Sequence, residues 1–434
     1  MAMQKKVEIT HRETIKPSCP TPIHLRILNL SLVEQFSPFL YIPLILFYHA
    51  NASEKAANLK KSFSETLSRF YPLAGRIKGN AYVACEDQGA EFIEARINCP
   101  LSDILKNPDE LDLLSQFLPG SIFSDEAERD SLLLVQATLF DCGGLAVGIN
   151  MSHKITDVST LSSFLKCWSA VTSNSLANMV SPVFNGASLF PPTPISIPSI
   201  LQIQPMQPNC TTRRILFTPL KIAALKAKAA SAAVPDPTKV EAISGLLWTA
   251  AAASMRSKFG FFRASNCSLA VNMRKRFLPP LPDNSAGQFS WAMTVNMENG
   301  ESELELLQEA VSRIRKEKDI FGENYLKKFQ GEGALANIVE KLEDYGNLAI
   351  TPGIELYVCS SWCKFEVYDS DLGWGRPVWV CMANFPLRNS AVLMDRRDGE
   401  GMEAWFTLDE DHMALFETNE ELLQFAQVNP SVSF

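Results

Sequence analysis

Leu145-Ala-Val-Gly-Ile-Asn-Met-Ser152, followed at once by His153-Lys-Ile-Thr-Asp157, is the stretch from which the fold is read. The first eight residues form an almost unbroken apolar run of strand length, which predicts a buried strand. From Thr160 to Val171 the period changes. Leu161, Phe164, Leu165 and Trp168 fall on one face of a helix. A strand that ends on a histidine brings the imidazole to the end of a sheet, where it can face a cleft. Leu132 to Phe140 reads as the preceding strand, and Asp141-Cys-Gly-Gly144 between them has hairpin composition.

Outward from this unit the chain keeps mixing strands and helices. Upstream, Leu40 to Tyr48 reads as a strand. Leu59, Phe63, Leu67 and Phe70 recur at helical spacing until Pro72 stops the run. Downstream, Pro182 to Pro208 holds seven of the 26 prolines and shows no period, so it suits an interdomain crossover. The second half restarts with a strand from Arg213 to Phe217 and a helix from Leu220 to Ala232. Pro237-Thr-Lys-Val-Glu241 opens a long helix, with Thr238 and Glu241 at capping-box spacing. Strands follow over Cys267–Arg276 and Phe289–Met297, then helices over Glu301–Phe321 and Tyr325–Tyr345. Further strands are predicted at Leu356–Val367, Val378–Met382, Ala391–Asp395 and Glu403–Thr407, and a closing helix over Asp409–Ala426. The expectation is a mixed α/β fold in two domains, residues 1–181 and 213–434, joined by a Pro-rich crossover at 182–212.

Composition bounds the function. A chain of 434 residues is too long for one ordinary core. With 46% apolar and 20% charged residues it is globular, and a net charge of −8 argues against nucleic acid as the main partner. Met1 to Pro22 has no apolar signal-peptide core. The run Phe36 to Tyr48 is broken by Pro38 and Pro43 and is too short to span a bilayer. The ten cysteines are scattered, with no paired C-x-x-C, which predicts reduced core thiols and a cytoplasmic protein. No metal site is expected.

Of five histidines only His153 has an acid four residues on, Asp157. A core or strand-end histidine is the plain reading. Its place before the crossover favours an interdomain cleft, and an imidazole there can take and return a proton near neutral pH. A zinc site needs more ligands nearby, and the chain has no G-x-S-x-G elbow for a serine hydrolase. Asp157 sits beyond a turn, so it is expected to point into structure, with Arg274 as its partner. Asp371-Leu-Gly-Trp-Gly-Arg-Pro377 is the second unusual stretch, either a rigid turn or a loop shaping a channel.

Taken in order, six segments carry a resemblance. They are Lys16-Pro-Ser-Cys-Pro-Thr-Pro22, Phe70-Tyr-Pro-Leu-Ala-Gly-Arg76, His153-Lys-Ile-Thr-Asp157, Val271-Asn-Met-Arg274, Ser361-Trp-Cys363 and Asp371-Leu-Gly-Trp-Gly375. With these the chain resembles the plant BAHD acyl-CoA-dependent acyltransferases along essentially its whole length, and most of all their alkaloid and terpenoid O-acetyltransferases. The resemblance implies two similar chloramphenicol-acetyltransferase-like domains with a channel between them. It implies acyl-CoA as co-substrate with no bound cofactor, a small-molecule alcohol as acceptor, and transfer without an acyl-enzyme. It carries the base onto His153 and a structural pair onto Asp157 and Arg274. It carries a supporting loop of fold and CoA channel onto Asp371, Gly373, Trp374 and Gly375.

Val158, Leu372, Arg376 and Gln288 depart from the residues the resemblance leads one to expect, which are glycine, phenylalanine, lysine and asparagine. Lys239, at the capped helix start, is a candidate for CoA phosphate. The expected state is a monomer away from any membrane. A phenolic acceptor, a longer or aromatic acyl-CoA, and a non-catalytic binding protein on the same scaffold are the alternatives. A peptide-synthetase condensation domain fits less well, because Ser152 stands where those carry a second histidine.

Overall fold

The computed structural model describes residues 5–49, 56–123, 130–175, 179–193, 209–260, 263–297, 303–322, 326–329, 333–383 and 387–432. Most of the Pro-rich stretch, 194–208, lies outside them, as do the first residues assigned to the helices at Glu301 and Tyr325.

Five long strands come from the first half: β1 (Val7–Ile15), β2 (Tyr41–Tyr48), β3 (Ala90–Ile97), β4 (Leu133–Phe140) and β5 (Leu145–Ser152). Eight come from the second: β6 (Cys210–Phe217), β7 (Ser265–Asn272), β8 (Ser290–Met297), β9 (Glu355–Ser361), β10 (Trp379–Cys381), β11 (Ser390–Asp395), β12 (Met402–Asp409) and β13 (Gln427–Val428). They form two mixed sheets, ordered β1-β3-β4-β5-β2-β10 and β8-β7-β9-β11-β12-β6-β13. The helices used below are α1 (Leu32–Phe36), α2 (Ala56–Arg69), α3 (Val158–Thr172), α4 (Pro219–Ala229), α5 (Lys239–Phe259), α6 (Glu303–Ile320) and α7 (Ala334–Ile350). Among the described residues no helix is long and apolar enough to cross a membrane.

β5 is buried along its whole length, as its apolar run requires. Its one glycine is forced by a neighbour: a Cβ at Gly148 would lie 1.9 Å from the Phe117 carbonyl oxygen. α2 and α3 pack together through Phe63, Phe70, Phe164 and Trp168, and the Trp168 indole N–H donates to Ser62 Oγ at 3.0 Å. This buried cluster fixes the helix that follows the histidine. In the second half α5 is capped by Thr238 and Glu241 as their spacing predicts, and stops at the left-handed Gly260.

Several boundaries move for local reasons. The strand expected to reach Val367 ends at Ser361, because Lys364 and Glu366 adopt left-handed backbone. The closing helix splits into Glu410–Phe416 and Glu420–Phe425, the second capped by Asn419. Arg274 lies not in β7 but in a 3₁₀ turn just after it. Eight cysteines are buried, as thiols in core runs should be, but Cys19 and Cys142 are exposed.

The packing crosses the division drawn from sequence. Trp362, Tyr368, Leu372 and Trp379 belong to the second half but are buried in the first core. β10 pairs antiparallel with β2, and Trp379 stacks on Phe47 at 5.4 Å. The segment caps the open edge of the first sheet and ties the two halves together.

Candidate active site

His153 leaves β5 in a turn whose backbone is fastened on two sides. Its N–H donates to the Leu40 carbonyl at 2.7 Å, and the Thr156 hydroxyl donates to the Ser152 carbonyl at 2.6 Å. Asp157 ends the turn as the N-cap of α3, accepting from Thr160 N at 2.9 Å. Val158 is the first helical residue, so the chain needs no left-handed backbone here and tolerates a β-branched side chain.

Asp157 is turned away from the imidazole. Arg274 Nη1 donates to its Oδ2 at 2.5 Å and Nη2 to its Oδ1 at 3.0 Å, and Phe289 N donates to Oδ2 at 3.0 Å. Both members of the pair are buried. Burial alone would raise the Asp157 carboxyl, but the Arg274 guanidinium and the backbone N–H donors outweigh it and hold it below the usual range. Arg274 also donates to the carbonyls of Ser285 and Gly287 and lies 4.7 Å from the Phe289 ring centre. The candidate pair of Asp157 with Arg274 is present, and it joins the first half to the turn before β8.

The imidazole lies with protein around it and one edge open to a cavity, so it is half-buried by surface area yet poorly solvated. Burial lowers its pKa below the ordinary value, against the Thr156 carbonyl and the Asp157 charge, which raise it. Nδ1 lies 2.9 Å from the Thr156 carbonyl oxygen. A carbonyl only accepts, so Nδ1 carries the proton and Nε2 keeps the lone pair. That is the tautomer a general base needs.

The cavity measures about 920 Å³ and is lined from both halves. Its floor is one face of the β7–β8 pair. In register, Asn272 faces Ser290, Ala270 faces Ala292, Ser268 faces Thr294 and Asn266 faces Asn296, and all eight line the space. Each two-residue step is ~6.6 Å along the strand. The floor therefore runs from the base, past a shallow pair of alanines, to two polar pairs. Glu317 of α6 and Lys341 and Asp344 of α7 line it as well.

The opposite wall contains α1, which the sequence reading missed although Ser31 and Glu34 have capping-box spacing. Lys154 secures it. Its buried ammonium donates to the carbonyls of Gln35 at 2.7 Å and Ser37 at 2.8 Å, at the helix end, and lies 4.4 Å from the Phe39 ring centre. Burial lowers Lys154 to about 7 and raises Glu34 to about 7. Gln288 was noted in the sequence only as a departure, yet its amide lies 3.1 Å from His153 Nδ1. Nothing local signals this contact, because 135 residues separate the two.

The remaining predicted residues lie elsewhere. Asp371 Oδ1 accepts from the N–H groups of Gly373 and Gly375 at 2.8 Å each, and both glycines have positive φ. Trp374 packs against Tyr48, and Leu372 is buried in the first core. None of these residues lines the cavity. Lys239 opens α5 with its ammonium on Asp395 at 2.6 Å, also outside the lining. His11, Glu13 and Glu94 have metal-like spacing, but the Lys60 ammonium already sits 2.6 and 2.9 Å from the two carboxylates.

Known proteins resemble the chain along nearly its whole length. Residues 5–423 match the model of the Transferase family. The chain is 36% identical to BAHD acyltransferase BIA1 of Arabidopsis thaliana, over 99% of this chain and 100% of that one. It is 34% identical to stemmadenine O-acetyltransferase of Catharanthus roseus, over 96% and 97%. The crystal structure of vinorine synthase superposes with a TM-score of 0.85 at 32% identity, covering 99% of this chain and 100% of that one.

Proposed function

This chain belongs to the BAHD acyltransferase family, and from that premise we propose that it moves an acyl group from acyl-CoA to a small-molecule hydroxyl with His153 as general base. The observation that carries the reading is the Thr156 carbonyl 2.9 Å from Nδ1 of a histidine that lines the cavity between the halves. Nε2 takes the hydroxyl proton as the acceptor oxygen attacks the thioester carbonyl. The tetrahedral oxyanion collapses, the C–S bond breaks, and the CoA thiolate leaves and takes the proton back from His153. Oxygen replaces sulfur on the acyl carbon in a single displacement, so no acyl-enzyme is required.

Acetyl is the acyl group, as the name of stemmadenine O-acetyltransferase suggests by analogy, and an alkaloid or terpenoid alcohol is the acceptor. The acceptor is assigned to the β7–β8 floor. The alanine pair gives room for a ring system beside the base. The test is release of CoA thiol from acetyl-CoA in the presence of a panel of alkaloid, triterpenoid and phenolic alcohols, with ester products identified by mass. Ester formation from an alkaloid or terpenoid alcohol supports the assignment. Turnover confined to phenols, or to longer acyl-CoA, overturns the acceptor or donor, and tight binding without turnover overturns the transferase reading.

A further inference from the structure

We infer that Gln288 is the residue that orients the base, its amide oxygen accepting from His153 Nδ1–H. This rests on the reading of His153 as the base. Asp157, four residues along, is not available for the task, because both its oxygens are taken by Arg274, Thr160 and Phe289. Two groups face Nδ1: the Thr156 carbonyl at 2.9 Å and the end of the Gln288 amide at 3.1 Å. The carbonyl requires a proton on Nδ1. An amide NH₂ set against that N–H would bring two donors together, and the oxygen and nitrogen ends of an amide occupy nearly the same outline. Only the oxygen end satisfies the ring. The nitrogen end then donates to Ser290 Oγ at 2.9 Å, which can accept, and it faces the Ser290 N–H at 3.3 Å, a longer donor–donor approach than the 3.1 Å one removed from the ring.

The side chain is anchored for this role. Gln288 is buried, its backbone N–H donates to Glu34 Oε1 at 3.3 Å, and neighbouring Gly287 is tied to Thr160 and Arg274. The buried Asp157–Arg274 pair thus reaches the imidazole indirectly. It holds the turn that presents the amide. An amide in this position does what a carboxylate does in a serine-protease triad, without adding a charge. It fixes the ring and stabilises the imidazolium formed when Nε2 takes the proton. Four charged groups surround the site: Asp157 from the cap of α3, Arg274 from the turn after β7, Glu34 from α1, and Lys154 beside His153. All are retained in the variants below, so Gln288→Met isolates the amide.

Titration of His153 by NMR in full-length protein with labelled histidine tests the inference without requiring turnover, and His153→Ala identifies the signal among the five histidines. Gln288→Met keeps the length and removes the amide. Its expected effect is a His153 pKa about one unit lower, with kcat/KM down ~10-fold and its acid limb moved to lower pH. Gln288→Glu keeps the hydrogen bond and adds a charge, and should raise the pKa by at least that much. A rise in Gln288→Met shows the nitrogen end facing the ring and overturns the proposal. An unmoved pKa in a folded Gln288→Met, or in Gln288→Glu if the methionine variant does not fold, reduces Gln288 to packing and overturns it too. Shifted titrations with no thiol release from any variant or the parent overturn the transferase reading alone.

Discussion

Replacing Asp157 by alanine should unfold much of the protein before it tells anything about catalysis. The substitution strands the Arg274 guanidinium, which is buried and donates to both Asp157 oxygens. Breaking one side of such a pair costs ~3–5 kcal/mol. It also removes the cap of α3, worth about 1 kcal/mol, and leaves Phe289 N without its acceptor. These effects share atoms and will not simply add, so about 4–5 kcal/mol is the working figure. That is a large fraction of the 5–15 kcal/mol by which a domain is typically stable. Urea unfolding followed by tryptophan fluorescence, with soluble yield beside it, reads the loss. Asp157→Asn keeps the cap and should fall between alanine and wild type. The double change Asp157→Leu with Arg274→Met should recover part of the loss, but not all, because Arg274 also serves the carbonyls of Ser285 and Gly287. A folded Asp157→Ala protein of near-normal stability but no activity would refute this reasoning and give the carboxylate a direct chemical task.

Four further outcomes follow from the same geometry. The acid limb of kcat/KM should lie below the ordinary histidine value of 6.5, since burial lowers His153 and the base must be neutral to act. A limb at or above 6.5 would contradict it. The Asp157 carboxyl is depressed, so its stabilisation is complete above about pH 5 and is lost as pH falls through the unfolded and then the folded value, which acid unfolding of wild type against Asp157→Asn will show. Lys154→Met should cost about 1–3 kcal/mol and raise KM more than it lowers kcat, because the ties to Gln35 and Ser37 hold the cavity wall and not the base. Ala292→Leu should raise acceptor KM while leaving that of acetyl-CoA unchanged, and the reverse pattern would assign the β7–β8 floor to the donor.

What the sequence makes legible is what local rules determine. β5 is plain because its apolar run is continuous. α5 is plain because Thr238 and Glu241 cap it. The histidine at a strand end follows from the apolar run and its end, and the Asp157–Arg274 pair is what the family resemblance implies. β1 escapes because an exposed edge strand carries charges where a core strand would carry apolar residues. β3 and α1 were also missed, though Ala90 to Ile97 and the Ser31–Glu34 spacing hold usable signals. The seating of residues 362–383 in the first core was not readable. It depends on an open edge at β2 and on Phe47, both over 300 residues upstream. The same holds for Gln288 and for the α1 wall held by Lys154. Contacts of this kind are set by tertiary packing, which no local pattern records.

The central claim is that His153 supplies the base for acyl transfer. The direct measurement is thiol release from acetyl-CoA by His153→Ala, with the best alcohol from the panel at saturation, next to circular dichroism and the urea midpoint of the same protein. The prediction is a fall in kcat of ~10²–10⁴-fold with folding unchanged. A folded His153→Ala enzyme that keeps its rate within about threefold, well short of the loss expected for a general base, would contradict it.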